Sequence, residues 1–335
     1  MLHYTIGTVI ITLVSSEMDC CMDRVDPITG SEIECAEGPQ MRTDGDAPAP
    51  FAVLAPARLT SPLVFNSPHS GTVYPDDLLA STRLDRIALR RSEDSFVDML
   101  FADAPHYGAP LLKALFPRAY LDVNREAFEL DPAMFEDALP EHVNTRSLRV
   151  AAGFGTIARI VAEGMAIYRE KMPFSEAERR VATLYHPYHS ALSDLLSGSL
   201  QQFGCAVLID CHSMPSLGAP PVSGGRRPAD IILGDRYGTS CAPLISQTIE
   251  EVLRDQGYQV VRNSPYAGGY ITDCYGRPGH GQHAVQIEIN RALYMDEDQV
   301  APSEGFARVK AHMSGLIAAL SQRLTPELLE RTALR

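Results

Sequence analysis

The stretch Val207-Leu208-Ile209-Asp210-Cys211-His212-Ser213-Met214 runs apolar and then ends on a histidine. A second stretch, Val64-Phe65-Asn66-Ser67-Pro68-His69-Ser70-Gly71, follows the same plan. Short apolar runs closed by small or turn-forming residues read as buried strands. Ligands bind at strand exits in open α/β sheets, and histidines fixed there are ready-made metal ligands.

Working outward from these two exits, periodicity predicts strands at 63–65, 111–115, 119–123, 206–210, 230–233, 258–262 and 284–290. Helices are expected over 83–103, 157–172, 242–256 and near 306–320. Ser175-Glu176-Ala177-Glu178 reads as a capping box opening another helix that runs to Gly204. Strands alternating with helices predict a three-layer α/β/α domain around a central mixed, mostly parallel sheet. That single domain is expected over 49–335. Loops at 213–229 and 263–283 are long and rich in Gly and Pro, as functional loops often are. Residues 1–48 read as a poorly ordered extension. Thr5–Val14 is apolar, but it lacks the basic flank of a signal peptide and is too short to span a bilayer.

The 335 residues are 45% hydrophobic and 21% charged, an ordinary globular composition. A net charge of −13 repels a phosphate backbone and argues against nucleic-acid binding. The seven cysteines include no CxxC pair, which suits reduced thiols in a cytoplasm. Cys211 reads as a buried structural thiol, with a nucleophile as the lesser alternative. No membrane partner is expected, and the oligomeric state is not legible.

Two imidazoles and one carboxylate leave open positions on Zn²⁺, the arrangement of a catalytic site. The familiar HxxE spacing fails because Thr72 stands three residues after His69. The third ligand is therefore assigned to Asp94, with Glu93 as its alternative, on the helix after the His69 loop. In the strand Ala284–Asn290, Gln286, Glu288 and Asn290 share one face, and Val285, Ile287 and Ile289 the other. Glu288 there is either a proton carrier beside a metal or half of a buried ion pair with Arg118 or Arg125. Arg118, Asn124 and Arg125 close adjacent predicted strands and suit a substrate carboxylate. Arg125 has a structural alternative, a pair with Asp122 or Glu126. Tyr185-His186-Pro187-Tyr188-His189 places two histidines on one face of a bent helix. They either line a pocket or rival the strand-end histidines as ligands. Gly153-Phe154-Gly155-Thr156-Ile157-Ala158 matches a dinucleotide loop only weakly.

Taken together and in order, seven stretches resemble the N-formylglutamate amidohydrolase family. They are Ser67–Gly71, Glu93–Asp98, Asp122–Arg125, Gly153–Ile157, Tyr185–His189, Asp210–Met214 and Gln286–Glu288. The resemblance covers roughly 60–300, and it reassigns the glycine pair to a family element. It implies a phosphorylase/hydrolase-like fold akin to zinc carboxypeptidases. It also implies zinc-dependent release of formate from N-formyl-L-glutamate, a late step of histidine degradation. Carried over by motif, His69, Asp94 and His212 would hold Zn²⁺ or another divalent metal. Glu288 and Arg118 would be catalytic. Asn124, Arg125, His189 and Tyr270 would bind a small acidic N-acyl amino acid. The alternatives are a zinc peptidase or deacylase acting on another N-acyl amino acid or peptide, and a binding module in which His69, His212 and Glu288 do not converge.

Overall fold

A computed structural model describes residues 49–161, 164–220 and 228–333. The expected N-terminal extension, 1–48, and part of the 213–229 loop lie outside the described residues. Seven strands form one sheet: β1 (Phe51–Leu54), β2 (Leu63–Ser67), β3 (Leu111–Ala114), β4 (Ala206–Met214), β5 (Ile231–Gly234), β6 (Val260–Arg262) and β7 (Gln282–Asn290). Their spatial order is β1-β3-β2-β4-β7-β5-β6. The central four, β3-β2-β4-β7, run parallel. Antiparallel pairs join β1 to β3 and β5 to β7, and β6 runs parallel to β5. The sheet is therefore mixed and mostly parallel, as the sequence predicts.

Each central strand is buried on both faces, which the run of apolar residues requires. Leu63, Phe65, Val207, Ile209, Cys211, Val285, Ile287 and Ile289 face one helical layer. That layer contains α3 (Val97–Leu100), α7 (Pro243–Asp255) and α9 (Phe306–Arg323). Val64, Leu208 and Ala284 face the other layer, built from α6 (His186–Phe203) and α8 (Tyr270–Tyr275). Each fully buried Val, Leu, Ile or Phe contributes roughly 1.5–3 kcal/mol, so two such faces fix the strand register firmly. The remaining helices, α1 (Asp76–Ser81), α2 (Arg86–Arg90), α4 (Leu148–Ala151), α5 (Phe174–Arg180) and α10 (Pro326–Ala333), are short.

Local expectations fail at four places. The helix expected over 83–103 is two short pieces, α2 and α3, because Phe96 takes a left-handed conformation (φ 67°) between them. Asp94 therefore sits in the break and not on a helix. Residues 119–123 form turns instead of a strand, and the described part of 157–172 holds isolated bridges instead of a helix. The capping box does not form: Pro173 is the cap of α5, so Ser175 lies inside the helix and does not cap it. Beyond α5 a π turn over Val181–Tyr185 leads into α6. Pro187 has no N–H to give, and the widened turn before it accommodates the missing bond. Gly204 ends the rod in the left-handed conformation (φ 72°).

Candidate active site

From β2 the chain crosses to β3 on one side, while β4 leads to β5, β6 and β7 on the other. The reversal lies between β2 and β4, where a crevice opens at the carboxyl ends of parallel strands. All four central strands deliver side chains to it. His69 follows β2, and Arg118, Asp122, Asn124 and Arg125 follow β3. Asp210 and His212 end β4, and Glu288 lies near the end of β7. In register, His212 pairs with Glu288 and Asn66 with Asp210. These side chains share the sheet face opposite Cys211, a buried thiol that burial pushes well above its ordinary pKa.

Three donor atoms converge. His69 Nδ1 lies 3.1 Å from Asp94 Oδ2, His212 Nδ1 lies 2.9 Å from the same oxygen, and the two Nδ1 atoms are 3.2 Å apart. Tetrahedral zinc with bonds of about 2.0–2.1 Å places its ligands about 3.3 Å from one another, so this triangle fits such an ion. The donor chemistry fits as well. Each imidazole already gives its Nε2–H to a carboxylate, His69 to Asp122 Oδ1 at 2.7 Å and His212 to Asp210 Oδ2 at 2.9 Å. Carboxylate-backed imidazoles leave Nδ1 lone pairs aimed at one point. Among the described residues, His69, Asp94 and His212 form the group of titratable side chains suited to a cation. Burial opposes charge on Asp94, but the adjoining His212 and His69 imidazoles hold its carboxyl well below the usual range.

The supports of the triad explain which acidic residue faces it. Ser213 Oγ donates to Asp94 Oδ1 at 2.9 Å. Arg291 donates to Ser213 Oγ, to the Arg91 and Glu93 carbonyls, and reaches Asp94 Oδ1 at 3.3 Å. Glu93 is turned away, its carboxylate taken by Tyr74, Arg90 and Ser95. Behind His212, Asp210 accepts from Asn66 Nδ2 at 2.7 Å, and Asn66 Oδ1 accepts from Tyr188 Oη. Tyr188 is the part of the helix motif that reaches the triad. His189 gives Nε2–H to the Val123 carbonyl and accepts from Tyr275 Oη.

A cavity of about 480 Å³ opens over the triad. Of the expected site residues, His69, Asp94, Arg118, Asn124, Arg125, His212 and Glu288 line it; His189 and Tyr270 stand outside the lining. Burial pushes the Glu288 carboxyl up to about 7, against the pull of His212 and Arg118. Gln286, two residues earlier on the same face, donates to Glu288 Oε1 at 2.6 Å and accepts from the Gly269 N–H. Arg118 Nε is paired with Asp122 Oδ2 at 3.0 Å, and its side chain remains about one-quarter exposed (27%). Arg125 is mostly committed to the protein: it donates to the Phe154 and Asn124 carbonyls and lies 3.4 Å from Asp122. Burial draws its guanidinium down to about 10. Asn124 Oδ1 accepts from the Ile271 N–H. A Cβ on Gly269 would sit 2.4 Å from the Asn124 amide, so only glycine permits that approach.

Sequence reasoning missed Arg149, Tyr266, Gln286 and Arg291 in the lining. The alternation of β7 already put Gln286 beside Glu288. Arg291 follows the strand in a 3₁₀ turn, and no sequence pattern marks it.

Known proteins resemble this chain over most of its length. Residues 61–295 match the family model described as N-formylglutamate amidohydrolase. The chain is 32% identical over 248 residues to the N-formylglutamate deformylase of Pseudomonas aeruginosa, covering 73% of this chain and 86% of the relative. It is 30% identical over 241 residues to the Pseudomonas putida enzyme of the same name, covering 71% and 83%. The crystal structure of N-formylglutamate amidohydrolase from Ralstonia eutropha superposes with a TM-score of 0.76 at 37% identity, over 84% of this chain and 99% of that one.

Proposed function

The chain belongs to the N-formylglutamate amidohydrolase family, and we propose that it hydrolyses N-formyl-L-glutamate to formate and L-glutamate with a divalent metal held by His69, Asp94 and His212. The observation that carries this reading is the meeting of three ligating atoms within hydrogen-bond distance of one another, in one cavity with a buried carboxylate. A zinc ion bound there would supply Lewis acidity at the amide carbonyl and acidify a water.

The chain's own residues do the rest. Glu288 takes the proton of the attacking water and returns it to the leaving nitrogen, a task suited to a carboxyl that burial raises to about 7. Gln286 holds that carboxylate in place. Arg118, pinned at Nε by Asp122, presents its outer nitrogens where negative charge develops on the carbonyl oxygen. Asn124 and the rim of Arg125 set the wall against which the amino-acid carboxylate rests. Fixed positive charge in the cavity offsets the repulsion between an acidic protein and a dianionic substrate.

The test is release of L-glutamate by purified protein, with zinc supplied and after chelation, from N-formyl-, N-acetyl- and N-succinyl-L-glutamate. Glutamate from the first alone, with one formate per glutamate, lost on chelation and restored by metal, is expected. No formate from metal-loaded protein rejects the assignment, and preference for a larger acyl group favours a deacylase.

A further inference from the structure

We propose that Arg149 reads the second, side-chain carboxylate of the substrate and so sets the preference for an acidic N-acyl amino acid; this rests on the amidohydrolase reading above. Arg149 lines the cavity with Arg91, Arg118, Arg125 and Arg291. Arg91 has a partner of its own, and the other three differ from Arg149 in what holds them. Arg291 is bound to Ser213, Asp94 and two carbonyls. Arg125 is bound to two carbonyls and Asp122. Arg118 is clamped to Asp122 and lies in the field of Asp94 and Glu288, beside the reacting centre. Arg149 shares none of these partners.

Its acidic neighbour is Glu129 Oε2, 3.9 Å away, too long for a hydrogen bond. That oxygen is buried and has no hydrogen-bond partner. Glu129 therefore aims the guanidinium by charge and leaves its donors for a ligand. The backbone beneath is fixed. Ser147 caps α4, Gly153 closes it at φ 86°, and a Cβ on Gly155 would meet the Glu129 carbonyl oxygen at 2.3 Å. The side chain, 41% exposed, stays adjustable. Phe154, Ala158 and Ile160 follow on the same segment and line the same cavity. They give the cavity an apolar wall suited to the two methylenes of a glutamate side chain. A second carboxylate at the end of that side chain meets a guanidinium able to grip it with two hydrogen bonds.

N-formyl-L-glutamine copies the shape of N-formyl-L-glutamate and lacks only the charge, so the ratio of kcat/KM for the two isolates this contact. Metal-loaded wild-type protein should prefer the glutamate derivative. Arg149→Met should lower that preference about 100-fold, with Arg149→Lys between the two. A wild type without the preference, or a ratio unchanged in Arg149→Met, overturns the inference. Absence of formate release by the wild type overturns the deformylase reading instead. Arg149 is then tested by calorimetric binding of N-acetyl-L-glutamate against N-acetyl-L-glutamine, where an unchanged ratio in Arg149→Met again counts against it.

Discussion

Glu288 is a carboxylate placed where a carboxylate is expensive, and its chemistry follows from that burial. Replacing it with Gln keeps shape and removes the proton acceptor. Glu288→Gln should lower kcat by about 10²–10⁴, with KM and bound metal within a few-fold; loss of metal in parallel would point to a structural role. His283, also on β7, shows burial acting on a base. Burial alone lowers its pKa from 6.5 to about 4, and its Nδ1 accepts from the Ala242 N–H. The unfolded chain therefore takes up this proton first as pH falls. Stability is full above about pH 6.5 and declines towards pH 4, by about 2–3 kcal/mol from this one residue. Urea titrations at pH 7 and 4.5 should show that loss, and His283→Gln should reduce it. At this scale the sequence was informative where strand alternation applies, as at Glu288 and His212. It was silent on Arg291, whose role exists only because the chain folds it back onto Ser213 and Asp94.

At the scale of elements, α6 does more than cover the sheet. Tyr188 starts a chain of hydrogen bonds through Asn66 and Asp210 to His212, and all four side chains are buried. Tyr188→Phe keeps the packing and removes the first donor, leaving Asn66 Oδ1 unpaired. Metal affinity should fall roughly tenfold, since partners behind ligands are worth 10–100-fold. Competition with a chromophoric chelator measures this, and an unchanged affinity would reduce the chain to packing. The strands β2, β4, β5 and β7 and the helices α7 and α9 were legible because their burial imposes strong periods of 2 and 3.6. The helix expected at 83–103 was not, although its apolar spacing is helical. The chain breaks there so that Asp94 can reach two histidines, and those contacts override local propensity. The Ser175–Glu178 spacing misled in a similar way: the helix starts earlier, at Phe174 after Pro173, so Ser175 lies inside it and caps nothing.

For the whole molecule, the triad ties together stretches far apart in sequence, since His69 and His212 are 143 residues from each other. An ion held by all three ligands binds the folded chain and not the unfolded one. At one hundred times its dissociation constant it stabilises the fold by about 2.7 kcal/mol. Thermal unfolding should therefore shift upward by a few degrees with zinc, and His212→Ala should abolish the shift. A shift that survives that substitution would place the stabilising ion elsewhere. His212 and Glu288 stand opposite each other on paired strands, so backbone hydrogen bonds between β4 and β7 fix the spacing of ligand and base. Arg149 is carried instead by the short helix α4, outside the sheet. The reacting centre and the recognition of the acid's tail are thus built from separable materials. Substitutions at position 149 alone are therefore expected to change the accepted amino acid, because the Phe154 and Thr156 carbonyls of the same segment hold Arg125 and Asp122 and must stay in place.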